Sequence, residues 1–276
     1  MDAVKVAILG CGPTGLLAAH GVRMAGEAMG RPVEVQIFSN KRKSPLYGCQ
    51  YLHGSIPGLE LPSQRVSYQL LGDVDTYRKK VYGGDEDVAV SPELLSKAHT
   101  AWDIRAAYDQ LWKMYEPSVV DYFFSIGSWR LLRRQLAEEQ FQLTFTALPA
   151  PVLCTDTTKA ICTFESQPVW AMGDAPDLGR FAEVPVGVQA RTVVCNGLPG
   201  DPWYRASRVF GHATVEWPVD ATPPHGASRV LKPLSTTCAC NRGVIRLGRY
   251  GLWQKGVLAH SAFLSALAET SRVLAR

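Results

Sequence analysis

The chain has 276 residues, of which 46% are hydrophobic and 20% charged. That is enough apolar material for one large domain, or for a nucleotide-binding domain with a second domain inserted into it, and it excludes wholesale disorder. A net charge of +4 admits an anionic ligand without choosing among dinucleotide, nucleotide sugar and nucleic acid. No stretch approaches the roughly 18 consecutive apolar residues of a membrane span, and Val4 to Leu9 is too short for a signal-peptide core, so the expected location is cytoplasmic.

The opening reads as strand, tight turn, helix, strand. Val4 to Leu9 is short, β-branched and bounded by glycine, as in a buried parallel strand. A helix over Thr14 to Ala25 and a second strand over Val33 to Phe38 complete a βαβ unit. Ser39 to Gly72 is rich in Gly, Pro and Ser and reads as a long ordered excursion, a kind of segment that usually carries function. Ser91-Pro92-Glu93 has the marks of a helix start, and Ala101, Ile104, Tyr108, Leu111 and Tyr115 continue an amphipathic stripe that ends at Glu116-Pro117. Trp102, Asp103 and Arg105 lie off that stripe and face either a ligand or solvent. From Phe141 to Trp217 the pattern is β-rich, with strands expected at Gln142–Ala147, Ala160–Glu165, Thr192–Cys195 and Ala213–Trp217. The chain closes with a strand over Gly243 to Leu247 and a helix over Lys255 to Leu274. Seven cysteines, at 11, 49, 154, 162, 195, 238 and 240, show no CxxC pair and no nearby histidine. They read as reduced thiols without a metal site, Cys238 and Cys240 being the one close pair.

Gly10-Cys11-Gly12-Pro13-Thr14-Gly15 fits G-x-G-x-x-G directly after a strand and before a helix. Gly10 makes the tight turn, Gly12 lets a pyrophosphate approach the backbone, and Gly15 lets the helix lie close to the sheet. The helix start at Pro13 and Thr14 faces the phosphates, and the free N–H groups of its first turn, which proline itself lacks, point toward them. The acid that usually follows the second strand is missing. In its place stands Ser39-Asn40-Lys41-Arg42-Lys43. Either Ser39 or Asn40 bonds the ribose with the basic run from Lys41 near phosphate or adenine, or Lys41, Arg42 and Lys43 recognise the 2′-phosphate of NADP, or the run is a solvated basic loop.

Ala7 to Ala19 resembles the FAD-binding start of the flavoprotein superfamily that contains amine oxidases, glucose-inhibited-division-type proteins and UDP-galactopyranose mutase. Leu247-Gly248-Arg249-Tyr250-Gly251-Leu252-Trp253-Gln254-Lys255-Gly256-Val257 is similar to the closing FAD motif of the mutase-like branch. The resemblance implies FAD as cofactor, with Arg249 on its diphosphate, Tyr250 and Trp253 in the aromatic turn, and the backbone of Gly256 and Val257 beneath the flavin pyrimidine. Over most of its length the chain also looks like small FAD-dependent oxidoreductases encoded by tailed bacteriophages, in blocks such as Gln50-Tyr51-Leu52-His53 and Ala101-Trp102-Asp103-Ile104-Arg105. Trp170 to Ala175 looks like the A-x-G-D motif that holds the ribityl chain in disulfide-reductase-type flavoproteins, and reads otherwise as a turn.

The expected fold is therefore α/β: a Rossmann-type FAD-binding domain over 1–72 and 225–276, with 118–160 as a possible part of it. An inserted β-rich (α+β) substrate domain would cover 73–117 and 161–224. The excursion commonly passes beside the flavin in this superfamily, which makes Gly48 a cofactor contact and Gln50 and His53 catalytic candidates. His53 would donate to flavin N5 or act as a base, or else bond within its loop. Arg205 and Arg208 beside Tyr204, with Arg105, suit an anionic substrate or a stacked base, or form surface ion pairs. The leading function is an FAD-dependent oxidoreductase acting on an amine or alcohol carbon of a small or nucleotide-linked substrate, a modified pyrimidine of phage DNA among them. The alternatives are a flavin-dependent mutase-like isomerase of a nucleotide sugar and a non-catalytic nucleotide- or nucleic-acid-binding flavoprotein.

Overall fold

The computed structural model describes residues 2–47, 51–83, 97–156, 158, 160–175, 188–223, 225–240 and 242–276. Two sheets organise the chain. The first has five strands, all parallel, in the order β12 (Ile245–Arg246), β6 (Leu143–Thr146), β1 (Val4–Leu9), β2 (Val33–Ser39), β5 (Val119–Asp121). Side chains alternate across a strand, and β1 uses both faces. Val4, Val6 and Ile8 pack in one core with helix α1 (Pro13–Met29), while Ala7 and Leu9 pack in another with Trp129, Leu132 and Leu136. Those three residues belong to a helix at Ile126–Glu138, numbered α4 below, which Ser125 caps through a reciprocal bond with Ser128. A parallel sheet covered on both faces is the doubly wound arrangement expected from the βαβ opening.

The second sheet has seven strands in the order β11 (Ser228–Thr236), β7 (Phe164–Ala175), β10 (His212–Pro218), β9 (Arg205–Val209), β8 (Thr192–Gly197), β3 (Ser63–Gly72), β4 (His99–Trp102). Its pairs are antiparallel except β3 with β8. Strands β3 and β11 fall in the ranges read as cofactor domain and yet pair into this sheet, so the second layer begins earlier and ends later than the sequence suggested. Helix α2 (Val74–Tyr82) packs beside β8 with Tyr77 and Val81 inward.

Three local expectations need correction. The stripe ending at Tyr115 starts at Ile104 (α3, Ile104–Tyr115), where Asp103 accepts from the backbone N–H groups of Arg105 and Ala106 at 2.8 and 3.2 Å. Ala101 belongs to β4, and Ser91 to Glu93 lie outside the described residues. Trp170 to Ala175 is the second half of β7 rather than a turn. The strand read over Ala160–Glu165 begins at Phe164.

The last long helix, α6 (His260–Leu274), lies against α1. A Cβ on Gly21 would stand 2.5 Å from the Phe263 carbonyl oxygen, so a bare backbone on α1 is what lets the two helices approach. Among the described residues no helix is long and apolar enough to cross a membrane.

Candidate functional site

In a doubly wound sheet ligands bind at the carboxyl edge, where strand order reverses. Here that point lies between β1 and β6, and three backbone segments meet there. Gly10 closes β1 with φ +99°, a conformation side chains disfavour. A Cβ on Gly15 would fall 1.9 Å from the Gly10 carbonyl oxygen, so only glycine lets α1 start this close to the turn. Gly12 differs: a Cβ there would meet nothing nearer than Ser44 Oγ at 3.8 Å. Space is left over its backbone. Helix α1 begins at Pro13 with no side-chain cap and no acid in its first turn, leaving the first N–H groups and the positive helix end for an anion.

The end of the chain joins this turn. Leu247 N–H donates to Thr146 O at 2.8 Å, which sets the strand end beside β6. A Cβ on Gly248 (φ +66°) would stand 2.5 Å from Thr14 Cγ2, and one on Gly251 2.6 Å from Thr146 O. Gly248–Leu252 is a short helix, α5. Arg249 is half-buried, and burial and the Arg205 charge lower its guanidinium from the usual value. Its Nη2 donates to Pro233 O at 3.3 Å, and its buried Nε has no partner among the described residues. Tyr250 OH donates to Leu231 O at 2.9 Å. Trp253 is buried and gives its indole N–H to Glu165 O at 2.9 Å, which makes it a brace between the short helix and β7 rather than a free face for a ring. Gly256 and Val257 lie in a loop, because α6 starts at His260 and not at Lys255 as the apolar pattern implied.

The basic segment after β2 is more engaged than its sequence indicates. Ser39 is buried and its Oγ accepts from Cys11 N–H at 3.2 Å, so it steadies the glycine turn. Asn40 and Lys41 are exposed, Lys41 at φ 48°. Lys43 pairs with Asp109 at 2.5 Å above the Tyr108 and Trp112 rings. Tyr108, which the sequence offered only as packing, donates from its OH to Cys11 O at 3.2 Å and accepts from Ser44 N–H at 2.9 Å. A cavity of 440 Å³ opens beside these residues, with Lys43, Ser44, Asp103, Arg105 and His212 in its wall.

His53 stands in a cluster that sequence reasoning missed. Its ring stacks on His99 at 5.2 Å and lies 4.7 Å from Tyr51 and 6.4 Å from His260. Burial first, then the neighbouring His99 and His260, lower the His53 pKa to about 4, so the ring is neutral at pH 7. The buried His99 Nε2 and His260 Nδ1 have no partners among the described residues. His99 and His260 come from β4 and from the start of α6, distant in sequence, and no local spacing announces them. Gly48 and Gln50 lie outside the described residues.

The residues read as substrate contacts divide. Arg105 lines the cavity. Arg205 and Tyr204 do not form a surface cluster. Glu216, 3% exposed, pairs with Arg205 at 2.6 Å and Lys232 at 2.7 Å, and Lys232 also donates to the buried Tyr204 OH at 2.6 Å. Burial alone would raise the Glu216 carboxyl, but the two cations hold it well below the usual range, while burial takes Lys232 down to about 8. This is an interior ion network in the second sheet, and it accounts for both residues without a ligand. Arg208 pairs through its backbone with Thr192 and Ala213 on the adjoining strands.

The cysteines also depart from expectation. Cys154, Cys162, Cys238 and Cys240 converge, because the antiparallel pairing of β7 with β11 brings the segment before one strand to the segment after the other. Cys11 and Cys195 are buried elsewhere, and Cys49 lies outside the described residues.

The sequence matches no protein-family model and no curated protein. Solved structures do match. BrvH, a flavin-dependent halogenase from Brevundimonas sp. BAL3, superposes with a TM-score of 0.52 at 12% identity over 99% of this chain and 76% of its own. CmlS, a flavin-dependent halogenase, gives 0.54 at 13% identity over 100% of this chain, which spans 59% of CmlS. MibH, a tryptophan 5-halogenase, gives 0.52 at 9% identity over 99% and 66%. At such identities the likeness speaks for architecture, and it agrees with the two sheets and the switch point described above. The chain therefore has the Rossmann-type fold of these flavin-dependent halogenases, a parallel sheet joined to a second, largely antiparallel one.

Proposed function

We propose that this protein is an FAD-dependent oxidoreductase. The observation that carries the reading is the meeting of the Gly10–Gly15 turn with Gly248 at the carboxyl edge of the parallel sheet. The residues fit the cofactor. The space over Gly12 and the uncapped start of α1 suit a diphosphate, and Arg249, next in sequence to Gly248, keeps a buried Nε without a partner among the described residues. Asn40 and Lys41 are exposed at the end of β2, where a ribose would lie, and the adjoining cavity carries Arg105 and the Lys43–Asp109 pair together with Asp103. Bound FAD supplies hydride and electron transfer that side chains cannot.

The chain's own contribution to chemistry falls to the histidine cluster. A neutral His53 can accept a proton from a substrate carbon's hydroxyl or amine, or hold an N–H toward a ring nitrogen. The substrate in this reading is small or nucleotide-linked and is oxidised at an amine or alcohol carbon. The test is mass spectrometry of the small molecule released on denaturing the purified, yellow protein. FAD is expected. A colourless protein that NADP, and not FAD, protects against thermal unfolding would overturn the proposal.

A further inference from the structure

Two connections cross between the sheets on one side of the protein. One runs from β6 to β7 and carries Cys154 and Cys162; the other runs from β11 to β12 and carries Cys238 and Cys240. Their four sulfurs lie within 4.8 Å of one another. Cys240 Sγ stands 3.9 Å from Cys154 Sγ and 3.6 Å from Cys162 Sγ. A disulfide would need about 2.05 Å. Four thiolates about 2.3 Å from a tetrahedral ion stand about 3.8 Å apart, and the observed separations match that spacing.

The surroundings suit a metal thiolate. Cys154, Cys162 and Cys238 are each under a tenth exposed and Cys240 is half-buried. Arg246 donates from Nη2 to Cys238 Sγ at 3.4 Å and to Cys240 O at 2.9 Å, and from Nη1 to Cys238 O at 3.0 Å. It brings a positive charge to a centre that would carry two negative ones. Asp156 is no competing ligand: its carboxylate accepts from Ile161 N–H, Cys162 N–H and Thr158 OH at 2.9, 3.0 and 2.8 Å, which shapes the loop that presents Cys162.

We propose that Cys154, Cys162, Cys238 and Cys240 bind one zinc ion in a closed, structural four-cysteine site that clips the two inter-sheet connections together. On binding, the four thiols lose their protons to solvent and four Zn–S bonds form, with no change of oxidation state. Four protein ligands leave no open position, so the ion would have a folding role and not a catalytic one. The distances suit a single ion rather than a larger cluster.

The test is elemental analysis of protein purified without added metal or chelator, read separately from flavin content. One zinc per chain is expected, lost in Cys162→Ser and Cys240→Ser and kept in Cys195→Ser. If the serine variants fail to fold, an organomercurial titration of the native wild-type protein serves instead, with a metallochromic dye reporting zinc release as the four thiols are consumed. Cobalt exchanged into the site should show the strong visible bands of a tetrahedral thiolate complex, beyond the flavin absorbance. Native protein that contains no zinc, zinc that survives Cys162→Ser, or iron in place of zinc would each overturn the assignment.

Discussion

Gly12 and Gly15 serve the same turn by different means. Gly15 is required by the fold, since its Cβ would strike the Gly10 carbonyl, whereas Gly12 faces open space. Gly12→Val should therefore leave a folded protein that melts like the flavin-free wild type and remove flavin from it, read as the ratio of flavin to protein absorbance after gel filtration. Full flavin content in that variant would remove the diphosphate from this place. His53 yields a pH prediction. Its folded-state pKa, about 4, lies below the ordinary 6.5, so between those values the unfolded chain binds more protons than the folded one. Stability should be fully present above pH 6.5 and fall as the pH drops toward 4, as thermal melts would show. Removing one neighbouring charge with His99→Gln should move the His53 midpoint upward in an NMR titration, and an unmoved midpoint would mean that the two rings do not interact. The glycines could be read from the sequence because each has a local reason to be there. The partners of His53 could not, because β4 and α6 supply them from distant positions.

Strands and helices with a strong local period were legible: β1, α1 and β2 lie close to where the apolar pattern puts them, and α6 ends at Leu274 as read but starts at His260 rather than Lys255. The pattern failed where two signals competed. The stripe ending at Tyr115 does not run back through Ala101 as expected: it takes its cap from Asp103 and the residues just before it pair as β4, while the helix start read at Ser91-Pro92 lies outside the described residues. In β7, Trp170 to Ala175 reads as an A-x-G-D motif or a turn, while pairing on both edges with β10 and β11 holds the segment extended. The ion network between β9, β10 and β11 was invisible for the same reason, since Arg205, Glu216 and Lys232 meet only through strand register. Glu216→Ala would leave two cations facing a dry interior. A loss of about 3–5 kcal/mol is expected for breaking such a buried pair, measured from the shift of the urea midpoint. A loss under about 1 kcal/mol would place the network at the level of a surface pair.

Across the two layers, the order of assembly follows from strand order. The parallel sheet is bounded on one side by β12, and the face of β1 that carries Val6 and Ile8 shares its core with α6. The glycine turn near the start of the chain thus gains its last wall, Gly248, only from residues more than two hundred positions later. Contacts of such long sequence separation form late and slow folding. During synthesis the cradle around the glycine turn must stay incomplete until β12 and α6 have left the ribosome, with α1's apolar flank uncovered in the meantime. A nascent chain stalled with residue 244 at the tunnel exit should hold no flavin, and the released chain should take it up. Cofactor loading in this protein would then report that β12 and α6 have emerged and docked.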